Sequence, residues 1–335
     1  MTSRRSPSPR QNPGQPKLVL VDDHPDVLKS LSRMLSFDFN VVGSATDGYQ
    51  AIDVCEACDP DIVLLDITMP GRDGFQTARD LRQRACRARI VFLTMHDSEE
   101  FVAEAFRSGG SGYVLKTRLH IDLVSALKRV FAGQLFLPSL RSLFAIDESP
   151  TGHVAQFYED DRGLVDEVGA FLHGALRRGD AVSVVSTESV RTGLAQRLQG
   201  YGWNAGESGE HGRYRANDSA LAASAIMRNE HVVPDYIENY VASLERWRVA
   251  AAGPTSRLTL IGDISTQMLV GGNEGAALDI EHLWNELTHA LPFLTVCCYP
   301  LNRISEDART DMLPNLCAEH YAIAHTSEGG TPFRI

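Results

Sequence analysis

From Lys17 onward, short apolar runs alternate with amphipathic stretches. KLVLV reads as a buried strand, and PDVLKSLSRMLSF after it sets Leu28, Leu31 and Leu35 on one helical face. The alternation repeats: NVVGSA precedes GYQAIDVCEAC, DIVLLD precedes an Arg-rich helix around Phe75 to Arg84, RIVFLT precedes SEEFVAEAFRSG, and GYVLK precedes IDLVSALKRVFAG. Five βα units in succession predict a doubly wound, five-stranded parallel sheet.

After the linker RSLFAIDESPTG the alternation resumes. HVAQFY, DAVSVVST, RLTLIGD and FLTVCCYP read as strands. LVDEVGAFLHGALRRG, ESVRTGLAQRLQGYG, ALDIEHLWNELTHAL and a last segment through LPNLCAEH read as helices, with a long helical region from Ser219 to about Ala252 broken near Pro234. This is a second α/β domain in RecA-like order, large enough to fold alone. A nucleotide-binding version of that order needs a Gly-rich loop and a lysine after AVSVV. The chain has STESVRTGL there, so neither ATP hydrolysis nor binding of ATP or GTP is expected.

Composition narrows the field. The chain has 335 residues, 43% hydrophobic and 22% charged, with a formal net charge of −11. That balance argues against DNA, whose phosphates call for clustered Lys and Arg. MTSRRSPSPRQNPGQP has no apolar segment and reads as a disordered tail, and no apolar run reaches membrane-spanning length. Six cysteines in a chain this long do not suggest a disulfide scaffold. A cytoplasmic protein with reduced thiols and no membrane partner is expected. Cys55 and Cys58 form a C-x-x-C, read as lying mid-helix, away from the helix start that activates such pairs. Arg79, Arg82, Arg84, Arg87 and Arg89 read as a solvated helix face.

The chemistry lies at the strand ends. In a doubly wound sheet, sites form beyond the carboxyl ends of the strands. The first strand ends in Asp22-Asp23, the third in Asp66, the fourth in Thr94 and the fifth in Lys116. Three carboxylates along one edge repel one another unless a cation intervenes, and all-oxygen ligands favour a hard ion such as Mg2+. A hydroxyl and an ammonium beside that ion suit a phosphoryl group.

VDDHP, DIVLLDITMPGRDG, FLT and GYVLKT together resemble the signature set of a two-component response-regulator receiver domain, of the NarL-like branch and flavodoxin-like fold, over roughly Lys17 to Leu137. The resemblance implies that Asp66 accepts a phosphoryl group from a histidine kinase or phosphotransfer protein. It implies that Asp22, Asp23, Asp66 and the Thr68 carbonyl hold Mg2+, and that Lys116 meets the phosphoryl oxygens. Thr94 and Tyr113 would report the phosphorylated state.

In the second half, HVAQFYEDD, FLHGALRRGDAVSVVST, RLTLIGDIS, LDIEHLWNELTHALPFLTVCCYP and LCAEH resemble the MEDS domain, the DcmR-type sensory domain of methanogens and methylotrophs. The resemblance spans roughly Gly152 to His325. It implies a KaiC-related fold without a working phosphate loop, which senses small organic compounds. Gly262-Asp263 stands where the family's pattern has Gly-Glu. His153, Phe157, Tyr158 and Glu159, placed at the end of the first strand, together with Asp263 and Tyr299, are the candidate ligand pocket; a turn and helix cap explain Glu159 to Asp161 equally well. Cys297, Cys298, Cys317 and His320 lack the paired spacing of a structural zinc site, and adjacent strand residues face opposite ways; buried packing is expected of them.

The expected organisation is a tail over 1–16, a receiver domain over 17–137, a linker over 138–150 and a MEDS-like sensory or output domain over 151–335. The expected function is a non-enzymatic response regulator whose output half senses a small molecule or binds a protein. The alternatives are a transcription regulator with an atypical output surface and a nucleotide-binding or enzymatic output domain.

Overall fold

Leu18 to Val21 are all buried in β1 (Lys17–Val21), as a strand covered on both faces requires. There follow α1 (Pro25–Leu35), β2 (Asn40–Ala45), α2 (Gly48–Cys58), β3 (Ile62–Asp66), α3 (Gly74–Gln83), β4 (Arg89–Thr94), α4 (Glu99–Arg107), β5 (Gly110–Leu115) and α5 (Leu119–Phe131). The structure, a computed structural model, describes residues 15–140, 142–143, 150–203, 212–228, 231–305 and 312–326. Residues 1–14 of the expected tail, and 141 and 144–149 of the expected linker, lie outside the described residues.

The chain divides into two compact units, one of residues 1–96 and 104–131 and one of residues 97–103 and 132–335. In the first, the helices start where local chemistry dictates. Pro25 opens α1, whose Leu28, Leu31 and Leu35 are buried, each contributing about 1.5–3 kcal/mol. Asp47 caps α2 by accepting from the Tyr49 and Gln50 amides, and Asp73 with Gln76 forms a capping box at α3. Cys58 closes α2, so the C-x-x-C lies in the helix's last turn rather than at its middle. The strands pair in the order β2-β1-β3-β4-β5, all parallel. The chain's direction of progress across the sheet reverses between β1 and β3, which opens a crevice beyond their carboxyl ends.

The second unit contains β6 (Leu135–Leu137), β7 (Gly152–Tyr158), α6 (Asp161–Arg177), β8 (Ala181–Ser186), α7 (Glu188–Gly200), β9 (Tyr214–Asp218), α8 (Ser219–Ile226), the hairpin of β10 (Met227–Arg228) and β11 (His231–Val232), α9 (Pro234–Ala252), β12 (Leu258–Gly262), α10 (Ile264–Val270), α11 (Glu274–Thr288), β13 (Phe293–Pro300), α12 (Leu313–Ala318) and β14 (Ala322–Thr326). Its sheet runs β6-β14-β7-β13-β12-β8-β9, again parallel throughout. The break expected near Pro234 is the hairpin, after which Pro234 opens α9. Residues 135–137 were expected in the first domain; they form β6 and pair with β14 in the second unit. The sequence reading also had no place for β9 or β14.

Candidate functional site

In the first unit, apolar runs give way to polar residues along one edge of the sheet. Asp22 follows β1, Asp66 ends β3, Thr94 ends β4 and Lys116 follows β5. Asp22 and Asp66 are buried, at 0% and 3% exposure. The Lys116 ammonium lies between them and donates to Asp22 Oδ2 at 2.8 Å and to Asp66 Oδ2 at 2.7 Å. The other oxygens are held by local backbone: Asp22 Oδ1 accepts from the His24 amide at 2.9 Å, and Asp66 Oδ1 from the Thr68 amide at 3.2 Å. Burial pushes the Asp66 carboxyl above the ordinary range, against the hydrogen bond and charge of Lys116. Burial would lower the Lys116 ammonium, but its bonds to the two carboxylates outweigh that and raise it.

Asp23 is half-buried at the rim and accepts from the His24 ring at 2.8 Å. Ligating atoms of Asp22, Asp23 and His24 lie within 4.8 Å of one another. Buried carboxylates at two strand ends and a third at the rim are hard oxygen donors, and this donor set fits Mg2+.

Gly74 fixes the geometry around Asp66. A Cβ there would stand 2.3 Å from the Asp66 carbonyl oxygen and 2.9 Å from Ile67 Cα, and the Gly74 amide donates to the Ile67 carbonyl at 2.9 Å. Only a residue without a side chain lets α3 start against the end of β3. His24 lies within VDDHP, where the sequence pattern assigns it no role, and His96 carries no sequence signal. His96 ties the other two residues together: its amide donates to Thr94 Oγ1 at 3.2 Å, and its carbonyl accepts from Tyr113 Oη at 2.8 Å. Tyr113 and Thr94 are both fully buried. All five arginines are exposed, as expected of a solvated face, and three are also paired: Arg79 meets Glu104 at 2.6 Å, Arg84 meets Glu56 at 2.7 Å, and Arg82 donates to the Gly109 carbonyl at 2.6 Å; Arg87 and Arg89 lie beyond α3.

In the second unit, His153 stands apart from the other candidate pocket residues. His153, expected at the carboxyl end of the first strand, is the second residue of β7 and so stands at the opposite end from Glu159. Phe157 and Tyr299 are buried and stack at 5.3 Å between ring centroids, and Tyr158 is 2% exposed. Glu159 is half-buried just beyond β7, while Asp160 caps α6 through the Gly163 amide at 2.9 Å. Asp263 follows β12 and accepts from Ser186 Oγ at 2.8 Å; burial raises its carboxyl. A small apolar pocket, partly open to solvent, is lined by Tyr240, Leu260, Ile280 and Trp284 together with Glu281 and Cys297. Only Thr187 separates β8 from α7, which leaves no loop to wrap a phosphate.

Of the cysteine and histidine residues weighed for zinc, Cys297 and His320 come together and are joined by His153 and Glu281. Cys298 is the neighbour of Cys297 on β13, and its Sγ lies 4.0 Å from the Val296 carbonyl. Burial would raise the Glu281 carboxyl, but His153 and His320, when protonated, hold it well below the ordinary range.

The family model of the response regulator receiver domain matches residues 18–128. That of the MEDS domain, the methanogen/methylotroph DcmR sensory domain, matches residues 152–315. The nitrate/nitrite response regulator protein NarL of Escherichia coli K12 is 38% identical over 122 residues, which cover 36% of this chain and 56% of that protein. The chain thus spans just over half the length of that relative. A nitrate/nitrite response regulator protein homolog of Haemophilus influenzae is 32% identical over 186 residues, 55% of this chain and 88% of its own. Among solved structures, a two-component response regulator of the LuxR family from Aurantimonas sp. SI85-9A1 is 35% identical, with a TM-score of 0.36, and covers 40% of this chain and 97% of its own. Among the described residues no helix is long and apolar enough to cross a membrane.

Proposed function

The chain belongs to the two-component response regulators, with a NarL-type receiver domain joined to a MEDS domain, and from that premise we propose that Asp66 is its phosphoacceptor. The observation that carries this reading is the Lys116 ammonium bonded at once to Asp22 and Asp66 at the ends of β1 and β3. A carboxylate oxygen of Asp66 attacks phosphorus as the bond to a kinase or phosphotransfer histidine nitrogen breaks, and the electron pair leaves with the imidazole. Such transfer asks the protein mainly for positioning and charge neutralisation. Asp22, Asp23, Asp66 and the Thr68 carbonyl would hold Mg2+, which when bound offsets the charge of the carboxylates and the incoming phosphoryl oxygens. Lys116 exchanges its carboxylate partners for a phosphoryl oxygen. Thr94 turns toward the new group and gives up the His96 amide, and because Tyr113 is tied to the same residue, both reorient through His96.

The second half serves as a non-enzymatic sensory or interaction module for a small, mostly apolar organic ligand, in a protein of the cytoplasm. The apolar lining of the pocket at Leu260, Ile280 and Trp284 supports this over a nucleotide site. Acetyl phosphate in the presence of Mg2+ tests the first reading. The full chain should acquire a labile acyl phosphate, and Asp66→Asn should abolish it without unfolding. Persistent, acid-stable labelling of Asp66→Asn overturns the assignment.

A further inference from the structure

We propose that the second unit binds one divalent transition-metal ion of the zinc class between His153, Glu281, Cys297 and His320. The four residues come from four separate places: β7, α11, β13 and the turn before β14. In the parallel register of β7 and β13, His153 pairs with Thr295 and Ala155 with Cys297. His153 and Cys297 therefore project from the same face of the sheet, and Glu281 meets both there from α11. All four are buried, and one ligand atom of each lies within 4.8 Å of the others.

The separations suit one small ion. His153 Nε2 is 3.0 Å from Glu281 Oε2 and 3.0 Å from Cys297 Sγ. Glu281 Oε2 is 3.6 Å from both Cys297 Sγ and His320 Nε2. A tetrahedral zinc ion with ordinary bond lengths to nitrogen, oxygen and sulfur sets its ligand atoms about 3.3–3.6 Å apart. Small movements bring this group to that geometry.

Hydrogen bonds around the group orient the ligands. The amide nitrogen of Asn285 donates to the Glu319 carbonyl at 2.6 Å and to its carboxylate at 2.9 Å, so its oxygen faces His153 Nδ1, 2.9 Å away. That fixes Nδ1 as the protonated nitrogen and turns the Nε2 lone pair of the neutral ring toward Glu281. His320 Nδ1 lies 2.7 Å from the Leu316 carbonyl, which can only accept, so His320 likewise presents an Nε2 lone pair when neutral. Glu281 Oε1 accepts from Ser265 and, at 2.6 Å, from Tyr299 Oη, which leaves Oε2 for the centre. Metal-bound histidines and carboxylates are typically held this way by partners behind them.

Lone pairs converging on a carboxylate require positive charge among them. Two imidazolium protons could supply it, in which case the group is a buried ion pair and the thiol is incidental. One divalent ion also engages Cys297 as thiolate and balances its charge and that of Glu281, leaving a neutral buried site. Two imidazole nitrogens and a sulfur select zinc-class ions over Mg2+. Cys298 and Cys317, weighed for zinc from the sequence, are not members of the group.

The test uses the full chain, stripped of metal, reduced, and held in excess Mg2+ so that the receiver carboxylates are occupied. Titration with Co2+ should show one equivalent bound, with the visible bands of a tetrahedral site and a thiolate-to-cobalt charge-transfer band. Cys297→Ser should lose the charge-transfer band, and Cys298→Ser should keep it. X-ray absorption of the zinc-loaded native chain should report one sulfur and three nitrogen or oxygen neighbours, a readout that survives even if Cys297→Ser fails to fold. No bound equivalent, a charge-transfer band unchanged in Cys297→Ser, or a shell without sulfur would each overturn the assignment.

Discussion

Replacing Lys116 with methionine keeps the length of the side chain and removes its charge. Because Lys116 Nζ touches Asp22 at 2.8 Å and Asp66 at 2.7 Å, the two contacting oxygens are at most about 5.5 Å apart. At an effective dielectric of about 20, two unit charges at that distance repel by about 3 kcal/mol. Removing the cation between buried carboxylates costs about 3–5 kcal/mol. Lys116 itself is partly exposed, with 22% of its side chain accessible, and Asp66 can relieve the repulsion by taking up a proton, so about 2–4 kcal/mol is expected. All three tryptophans, Trp203, Trp247 and Trp284, lie in the second unit, so fluorescence would not see the loss. Hydrogen exchange of β1 and β3 peptides would: at about 1.4 kcal/mol per tenfold, protection in chelator should fall about 30- to 1,000-fold. Mg2+ should restore more protection to Lys116→Met than it adds to the native chain, because it replaces the missing charge. Equal Mg2+ gains in both proteins, or unchanged protection in chelator, would refute the view that Lys116 holds these carboxylates together.

Asp23→Ala should remove most of the Mg2+-dependent stabilisation, which follows RT ln(1 + [L]/Kd); a Mg2+ titration of exchange in β1 measures it. Gly74→Ala forces a methyl group onto the Asp66 carbonyl and should cost about 1–3 kcal/mol, with slower labelling by acetyl phosphate. Burial, with the Cys86 and Cys58 charges adding to it, pushes the Cys55 thiol from 9.0 up to about 12. Unfolded chains release that proton near pH 9 and the folded unit keeps it until about pH 12, so the folded state binds more protons between them. Stability of the first unit should therefore fall as pH rises through that window, by about 1.4 kcal/mol per pH unit, and Cys55→Ala should flatten the decline in its exchange protection. Calorimetric titration with ATP and Mg2+ should show no micromolar binding to the full chain.

The first unit was largely legible because each strand end carries its chemistry within a few residues of an apolar run. VDDHP, DIVLLD and GYVLKT declare both the element and the polar residue beyond it. His96 was not legible, because it acts through its backbone amide and carbonyl. In the second unit, β14 escaped notice because AIAHT, no shorter than KLVLV, has only Ile323 and Thr326 as β-branched residues to mark it as a strand. The cluster around Glu281 was hidden for a different reason. Glu281 sits in a helix whose charged residues look solvated, and only tertiary packing turns it inward. His153 was misplaced although HVAQFY begins with it: a strand of seven residues separates its amino end from Glu159 by its full length.

The position of β14 also constrains the order of assembly. It is the last described strand of the second unit, yet it lies between β6 and β7 and pairs with both. Until Ala322 to Thr326 have been synthesised, β7 and β6 each lack a neighbour, and their exposed backbone edges can recruit other chains. The emerging polypeptide must therefore hold an open gap in its own sheet until the final insertion, a closure of long sequence separation that proceeds slowly. Chains stalled or cleaved before that strand should be the species that aggregate and are cleared, which makes Ala322 to Thr326 the checkpoint for assembly of the second unit.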